Sequence, residues 1–199
     1  AIPNTSDVTT VTFSITDVND APTGSVTIVG TATQGQILTA SSTLADADVL
    51  GTITYTWSND QTGSSITLAQ GDVGNTITVT ASYTDGGNEE ESVASTATSA
   101  VANVNDAPTG SVTIVGTATQ GQILTASSTL ADADVLGTIT YTWSNDQTGS
   151  SITLAQGDVG NTITVTASYT DGGNEEESVA STATSAVANV NDAPTGSVT

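Results

Sequence analysis

Asn75-Thr-Ile77-Thr-Val79-Thr-Ala81-Ser-Tyr83-Thr84 alternates apolar residues with Thr or Ser at every second position. In an extended chain, a period of two puts Ile77, Val79, Ala81 and Tyr83 on one face and the hydroxyls on the other. Outward from this stretch the pattern recurs. Ile53, Tyr55 and Trp57 oppose Thr52, Thr54 and Thr56. Val and Ile continue to alternate with Thr and Ser, and Gly or Asp-Gly marks the turns. Strands are predicted over 24–29, 36–42, 52–58, 64–68, 75–84 and 92–103, with a further short one at 59–63. No segment carries a helical period. The strand spacing and turn density favour a β-sandwich over a barrel. Trp57 shares its face with Ile53 and Tyr55, so it reads as a core tryptophan. The competing reading is a sugar-stacking platform.

The next scale outward is a repeat. Asn-Asp-Ala-Pro-Thr-Gly-Ser-Val-Thr begins at Asn19, Asn105 and Asn191, 86 residues apart each time, and residues 19–104 and 105–190 are identical throughout. Exact tandem identity suits a spacer, whose length grows with copy number, better than a pair of catalytic domains. Four pieces are expected: 1–18 as the last strand of a preceding β domain, 19–104 and 105–190 as identical sandwiches, and 191–199 as the start of a third. Such a chain reads as a window on something longer, with any export signal outside it. Pro22 and Pro108 fix φ and hold the preceding alanine extended, which makes each linker short and stiff. An 86-residue unit with few aromatics has a modest core, so stabilisation from another source is expected.

Composition removes most chemistry. The chain has no Lys, Arg, His, Cys or Met against 21 acidic residues, a net charge of −21. There is no thiolate, imidazole or amine, hence no zinc ligand set, no Ser-His-Asp triad and no lysine variant of one. Nucleic acid and anionic lipid would repel it. Disulfides are unavailable, and so is a Lys–Asn isopeptide cross-link. No apolar run approaches the roughly 20 residues that span a bilayer. The chain is therefore read as a non-enzyme. The remaining ligands are hard oxygens, suited to calcium.

The acids are unevenly placed. Each repeat carries nine: Asp20 in the linker, Asp46 and Asp48 in the turn 44–51, Asp85 and Glu89 to Glu91 in the segment 83–91, and Asp60 and Asp72 elsewhere. In an immunoglobulin-like path the loops between strands B and C and between F and G lie at the pole where the preceding linker arrives. Three acidic segments would then converge at one junction. At an effective dielectric of about 20, two like charges 4 Å apart repel by roughly 4 kcal/mol, so convergence calls for a cation. Calcium, taking six to eight oxygens, fits better than magnesium with its tight octahedron. A solvated acidic surface is the alternative. Three consecutive glutamates cannot all face one site, so at most two of Glu89 to Glu91 are expected to be ligands.

Asp17-Val-Asn19-Asp20-Ala-Pro22 resembles the calcium-binding linker of cadherins, and is closer still to linkers of bacterial cadherin-like and immunoglobulin-like repeats. Leu68-Ala-Gln-Gly-Asp72-Val-Gly74 resembles the corner before an immunoglobulin F strand, without its tyrosine or cysteine. Over residues 19–199 the unit is similar to repeats of the giant RTX-type bacterial adhesins, through Val-Asn-Asp-Ala-Pro-Thr-Gly, Thr-Leu-Ala-Asp-Ala-Asp and Asp-Val-Gly-Asn-Thr-Ile-Thr-Val. The resemblance implies tandem immunoglobulin-like (Greek-key) β-sandwiches joined by Asn-Asp-Ala-Pro linkers in a type I-secreted protein of the bacterial cell surface. Such a protein is anchored at the outer membrane without inserting this segment. Its repeats form a calcium-stiffened stalk of like neighbours, and other domains bind the host or surface ligand. The ligand set implied is Asp17, Asn19, Asp20, Asp46, Asp48, Asp85 and Glu89 for the first repeat. For the second it is Asn103, Asn105, Asp106, Asp132, Asp134, Asp171 and Glu175. Two departures stand out. Asn103 replaces the leading Asp of the second linker, and Val49 follows Asp-Ala-Asp where an Asp-Gly turn is usual. Two further functions compete: a carbohydrate-binding array, for which Tyr55, Trp57 and Tyr83 are the aromatic candidates, and a filament subunit that exchanges strands.

Overall fold

The computed structural model describes residues 9–14 and 18–196. The chain divides into two compact units, Ala1–Ala102 and Asn103–Thr199. Most of the segment expected to close a preceding domain, Asp17 included, lies outside the described residues. Its described residues, 9–14 and 18, are exposed and form no strand.

In the first unit, β1 (Val26–Val29), β2 (Ile37–Ser42) and β4 (Ser65–Thr67) form one antiparallel sheet, ordered β1-β2-β4. The second sheet joins β3 (Thr54–Trp57), β5 (Val79–Thr84) and β6 (Glu90–Ala94), ordered β3-β5-β6. The chain changes sheet between β2 and β3, between β3 and β4, and between β4 and β5. Each unit is thus an all-β sandwich. In the second unit β7 (Val112–Val115), β8 (Ile123–Ser128) and β10 (Ser151–Thr153) form the first sheet, and β9 (Thr140–Trp143), β11 (Val165–Thr170) and β12 (Glu176–Ala180) the second.

Alternation decides what is buried. Ile77, Val79, Ala81 and Tyr83 face inward with Leu38, Ile66, Leu68 and Trp57, from both sheets, in one core. Trp57 is 2% exposed and its indole N–H donates to the Gly63 carbonyl at 2.9 Å. A ring so enclosed offers no face to a sugar, which removes the platform reading. Tyr83 is also buried, and Tyr55 is half-buried against the core.

Two ladders are shorter than the alternation predicts, because hydroxyls replace backbone partners. Over 75–78, Ile77 N–H donates to Thr98 Oγ1 and Thr78 N–H to Ser58 Oγ; Val79 N–H, where β5 begins, donates to Ser95 Oγ. Side chains that satisfy the backbone locally compete with regular pairing. Beyond β6 regular pairing ends: Ser95 N–H and Thr98 N–H still donate to the Val79 and Ile77 carbonyls, and isolated bridges join Val101 to Val73 and Ala102 to Thr33. Residues 59–63 form a turn, with Asp60 at φ 62°, instead of a strand. The corner Gln70–Asp72 is a 3-10 turn. Asp72 holds it, accepting Ala69 N–H at 2.8 Å and Asn59 Nδ2 at 3.0 Å.

The two poles of a unit differ. β5 rises from the end where Val101 N–H meets the Asn75 carbonyl to the end where Asp85 turns the chain. The linker arrives at the Asp85 end, since Asp20 N–H donates to Asp48. The chain therefore enters a unit at one pole and leaves at the other. At the departing pole of the second unit, Gln120 Oε1 accepts Val190 N–H at 3.1 Å, and Gln156 Nε2 donates to Asn189 Oδ1 at 3.4 Å.

Candidate metal centre

β5 carries its inward face one step past its own end. After Ile77, Val79, Ala81 and Tyr83, the next inward position is Asp85, which is 7% exposed. Its backbone N–H donates to the Glu89 carbonyl at 2.9 Å, and Glu89 N–H donates back to Asp85 Oδ1 at 2.8 Å. This closes the turn that leads into β6 and leaves Asp85 Oδ2 buried without a hydrogen-bond partner. The twin Asp171, 6% exposed, has the same contacts and the same unpartnered Oδ2.

The turn 44–51 brings the other two carboxylates. Asp48 N–H donates to Asp46 Oδ1 at 2.9 Å, and Gly86 N–H donates to the Asp48 carbonyl at 2.7 Å, tying the two loops together. A Cβ at Gly86 would lie 2.4 Å from that carbonyl oxygen, so this approach requires glycine. Val49 takes φ 73°, in the left-handed region that glycine favours. A β-branched residue there is strained, and such strain typically costs about 1–3 kcal/mol and collects at sites that need a fixed geometry.

Asp46, Asp48 and Asp85 present oxygens within 4.8 Å of one another, as do Asp132, Asp134 and Asp171. At that spacing each charge pair repels by roughly 3–4 kcal/mol at an effective dielectric near 20, before solvent screening. Among the described residues no cationic side chain opposes them, since the chain has none. A hard divalent cation fits this donor set. It would supply a partner for the orphaned Asp85 and Asp171 oxygens and cancel the repulsion.

The arriving linker lies against the cluster. Asn19 Nδ2 donates to Glu91 Oε1 and Asp20 N–H to Asp48 Oδ2, both at 2.7 Å. Asn105 and Asp106 repeat both bonds with Glu177 and Asp134 at the same lengths. The Asp20 side chain is exposed and that of Asp106 half-buried. Glu89 and Glu175 contribute backbone only, their side chains being exposed. Asn103 is half-buried with Oδ1 enclosed and unpartnered, and its Nδ2 stands 2.7 Å from where a Cβ on Gly173 would be. That Cβ would also lie 3.3 Å from Asp171 Oδ1, so glycine at 173 leaves room for both side chains.

The sequence left open which of Glu89 to Glu91 serve the site, and it placed Tyr83 on the core face without a role there. Glu91 is the glutamate that turns toward the linker, because the register pairs it with the inward Tyr83. Tyr83 itself donates its hydroxyl to Asp46 Oδ2 at 2.5 Å, and Tyr169 to Asp132 Oδ2 at 2.6 Å. Burial pushes both phenols well above their usual range, and the bonded aspartate and the charges of the neighbouring acids push further. The alternation through Tyr83 to Asp85 was the available signal for both.

No known protein family and no curated protein matches the chain. Among solved structures it is similar to a tetra-tandem repeat in the extending region of a large adhesion protein, at 21% identity and a TM-score of 0.28. The match covers 79% of this chain and 48% of the other, about half its length. A superposition that loose transfers neither geometry nor role. Among the described residues no helix is long and apolar enough to cross a membrane.

Proposed function

We propose that each unit is a spacer module whose acidic pole binds calcium, and that the chain is a stalk segment of an extracellular bacterial surface adhesin. The observation that carries the ion is the buried, unpartnered Oδ2 of Asp85 and Asp171, set among two further carboxylates. A charged oxygen removed from water without a partner is costly, and with no cationic side chain in the sequence a divalent ion is a fitting partner for it. Calcium is favoured because mixed carboxylate, amide and carbonyl oxygens in a loop junction suit its larger, adaptable shell. Asp46, Asp48 and Asp85 would hold it in the first unit, and Asp132, Asp134 and Asp171 with Asn103 in the second.

The spacer role follows from threading. Within each unit the linker enters at one pole and the chain leaves at the other, a path that suits a repeated spacer. At about 3.3 Å per residue, the stretch 75–85 alone spans about 33 Å. Asp20 and Asp106 are hydrogen-bonded to carboxylates that the ion would order, so occupancy would stiffen the linker where it joins the unit. The partners are like repeats in the same chain and calcium, with adhesive contacts made by other domains.

Small-angle scattering and calorimetric melting of the chain, in calcium and in chelator, test this. Calcium is expected to raise both the maximum dimension and the melting temperature. Equal values in the two states would refute the proposal.

A further inference from the structure

Each unit buries one phenol whose hydroxyl donates to a carboxylate. Tyr83 is 5% exposed and lies opposite Glu91 in the β5–β6 register. Its ring belongs to the core, and its hydroxyl bonds Asp46, 37 positions earlier in the chain. The core tryptophan spends its polar atom differently, on the neutral Gly63 carbonyl. A phenylalanine would fill the Tyr83 ring site equally well, so the hydroxyl is present for Asp46. With Asp48 N–H on Oδ1 and the phenol on Oδ2, both Asp46 oxygens are fixed in direction. A carboxylate has about four acceptor positions, so each oxygen keeps one for an ion. The second unit repeats the arrangement with Tyr169, Asp132 and Asp134.

Resting on the ion-binding reading above, we propose that Tyr83 and Tyr169 are positioning residues of the cation site, holding Asp46 and Asp132 aimed at the ion before it arrives. The phenol ties the half-buried loop aspartate to the rigid sheet. It also donates a hydrogen bond toward a cluster that otherwise repels itself. Without it Asp46 is free to turn toward water, and the ion must reorganise the loop on binding. Outer partners of metal ligands typically change affinity about 10–100-fold when removed.

The test is calorimetric titration of calcium chloride into the whole chain and into the double variant Tyr83→Phe, Tyr169→Phe. Affinity is expected to fall about 10–100-fold. The interval between calcium-loaded and chelated melting temperatures at fixed calcium should narrow. A tyrosine with only a structural role would lower both melting temperatures equally and leave affinity unchanged, and that result overturns the proposal. A wild-type chain that takes up no calcium overturns the ion reading itself, which separates the two failures. Should the double variant not fold, the Tyr55→Phe, Tyr141→Phe chain keeps Tyr83 and Tyr169 as its only tyrosines. Calcium should then perturb its near-ultraviolet tyrosine band, and a silent band would sink the proposal.

Discussion

Two aspartates of each unit are equally buried and opposite in character. Asp72 and Asp85 are both 7% exposed. Asp72 is closed on itself, one oxygen taking Asn59 Nδ2 and the other Ala69 N–H. Asp85 has one oxygen paired and the other bare, and its carboxylate offers an oxygen within 4.8 Å of one on each of two more. Neutral donors complete the first, so it is a pin that shapes a corner. The second is left short of a partner among carboxylates, with no cationic side chain in the sequence to oppose them. Burial alone therefore does not separate a structural carboxylate from a binding one; the donor count does.

The largest expected effect sits on the incomplete aspartate. Asp85→Asn with Asp171→Asn should abolish the calcium-dependent gain, about 2.7 kcal/mol per site at 100 times Kd. The chelated protein should be no less stable than wild type, because repulsion is relieved. Melting curves in calcium and in chelator measure both, and a surviving calcium response would show that the bare oxygen is not a ligand. Next comes the complete aspartate. Asp72→Ala with Asp158→Ala should cost about 1–3 kcal/mol per unit through stranded donors, identically with and without calcium. Urea unfolding under both conditions checks it, and a calcium-sensitive loss would erase the contrast between the two poles.

The smallest effect is alkaline. The Tyr83 and Tyr169 hydroxyls titrate higher in the folded protein than the usual value of about 10. The neutral phenol is favoured by folding, so this contribution is complete below about pH 10 and is lost as pH rises above it. A gentle fall in chelated-state melting temperature is expected there. The Tyr83→Phe, Tyr169→Phe chain should show less of it, and identical slopes would contradict the bonded phenol.

Much of the site was legible as residue types and little as roles. Asp46, Asp48 and Asp85 stand out by position in turns, and the structure brings their oxygens together. Glu89 stands out equally, yet its side chain is exposed and its backbone closes the turn. Glu91 looks interchangeable with its two neighbours until β6 is seen to begin at Glu90, which fixes the alternation and pairs Glu91 with Tyr83. Val49 breaks the expected Asp-Gly turn in sequence but not in conformation, since it takes the left-handed φ regardless.

By itself the sequence determined the repeat, the strand faces and the absence of any imidazole, thiol or cationic side chain. Those are properties of composition and of a two-residue period, both local to the chain. Only the tertiary structure decided which acids meet, which oxygen goes without a partner and that a core tyrosine holds one of the ligands. Those contacts join residues 28 to 72 positions apart. Sequence spacing carries no distance on that scale until strand register and the crossing between sheets are set, because each side chain's direction follows from its neighbour strand and not from its place in the chain.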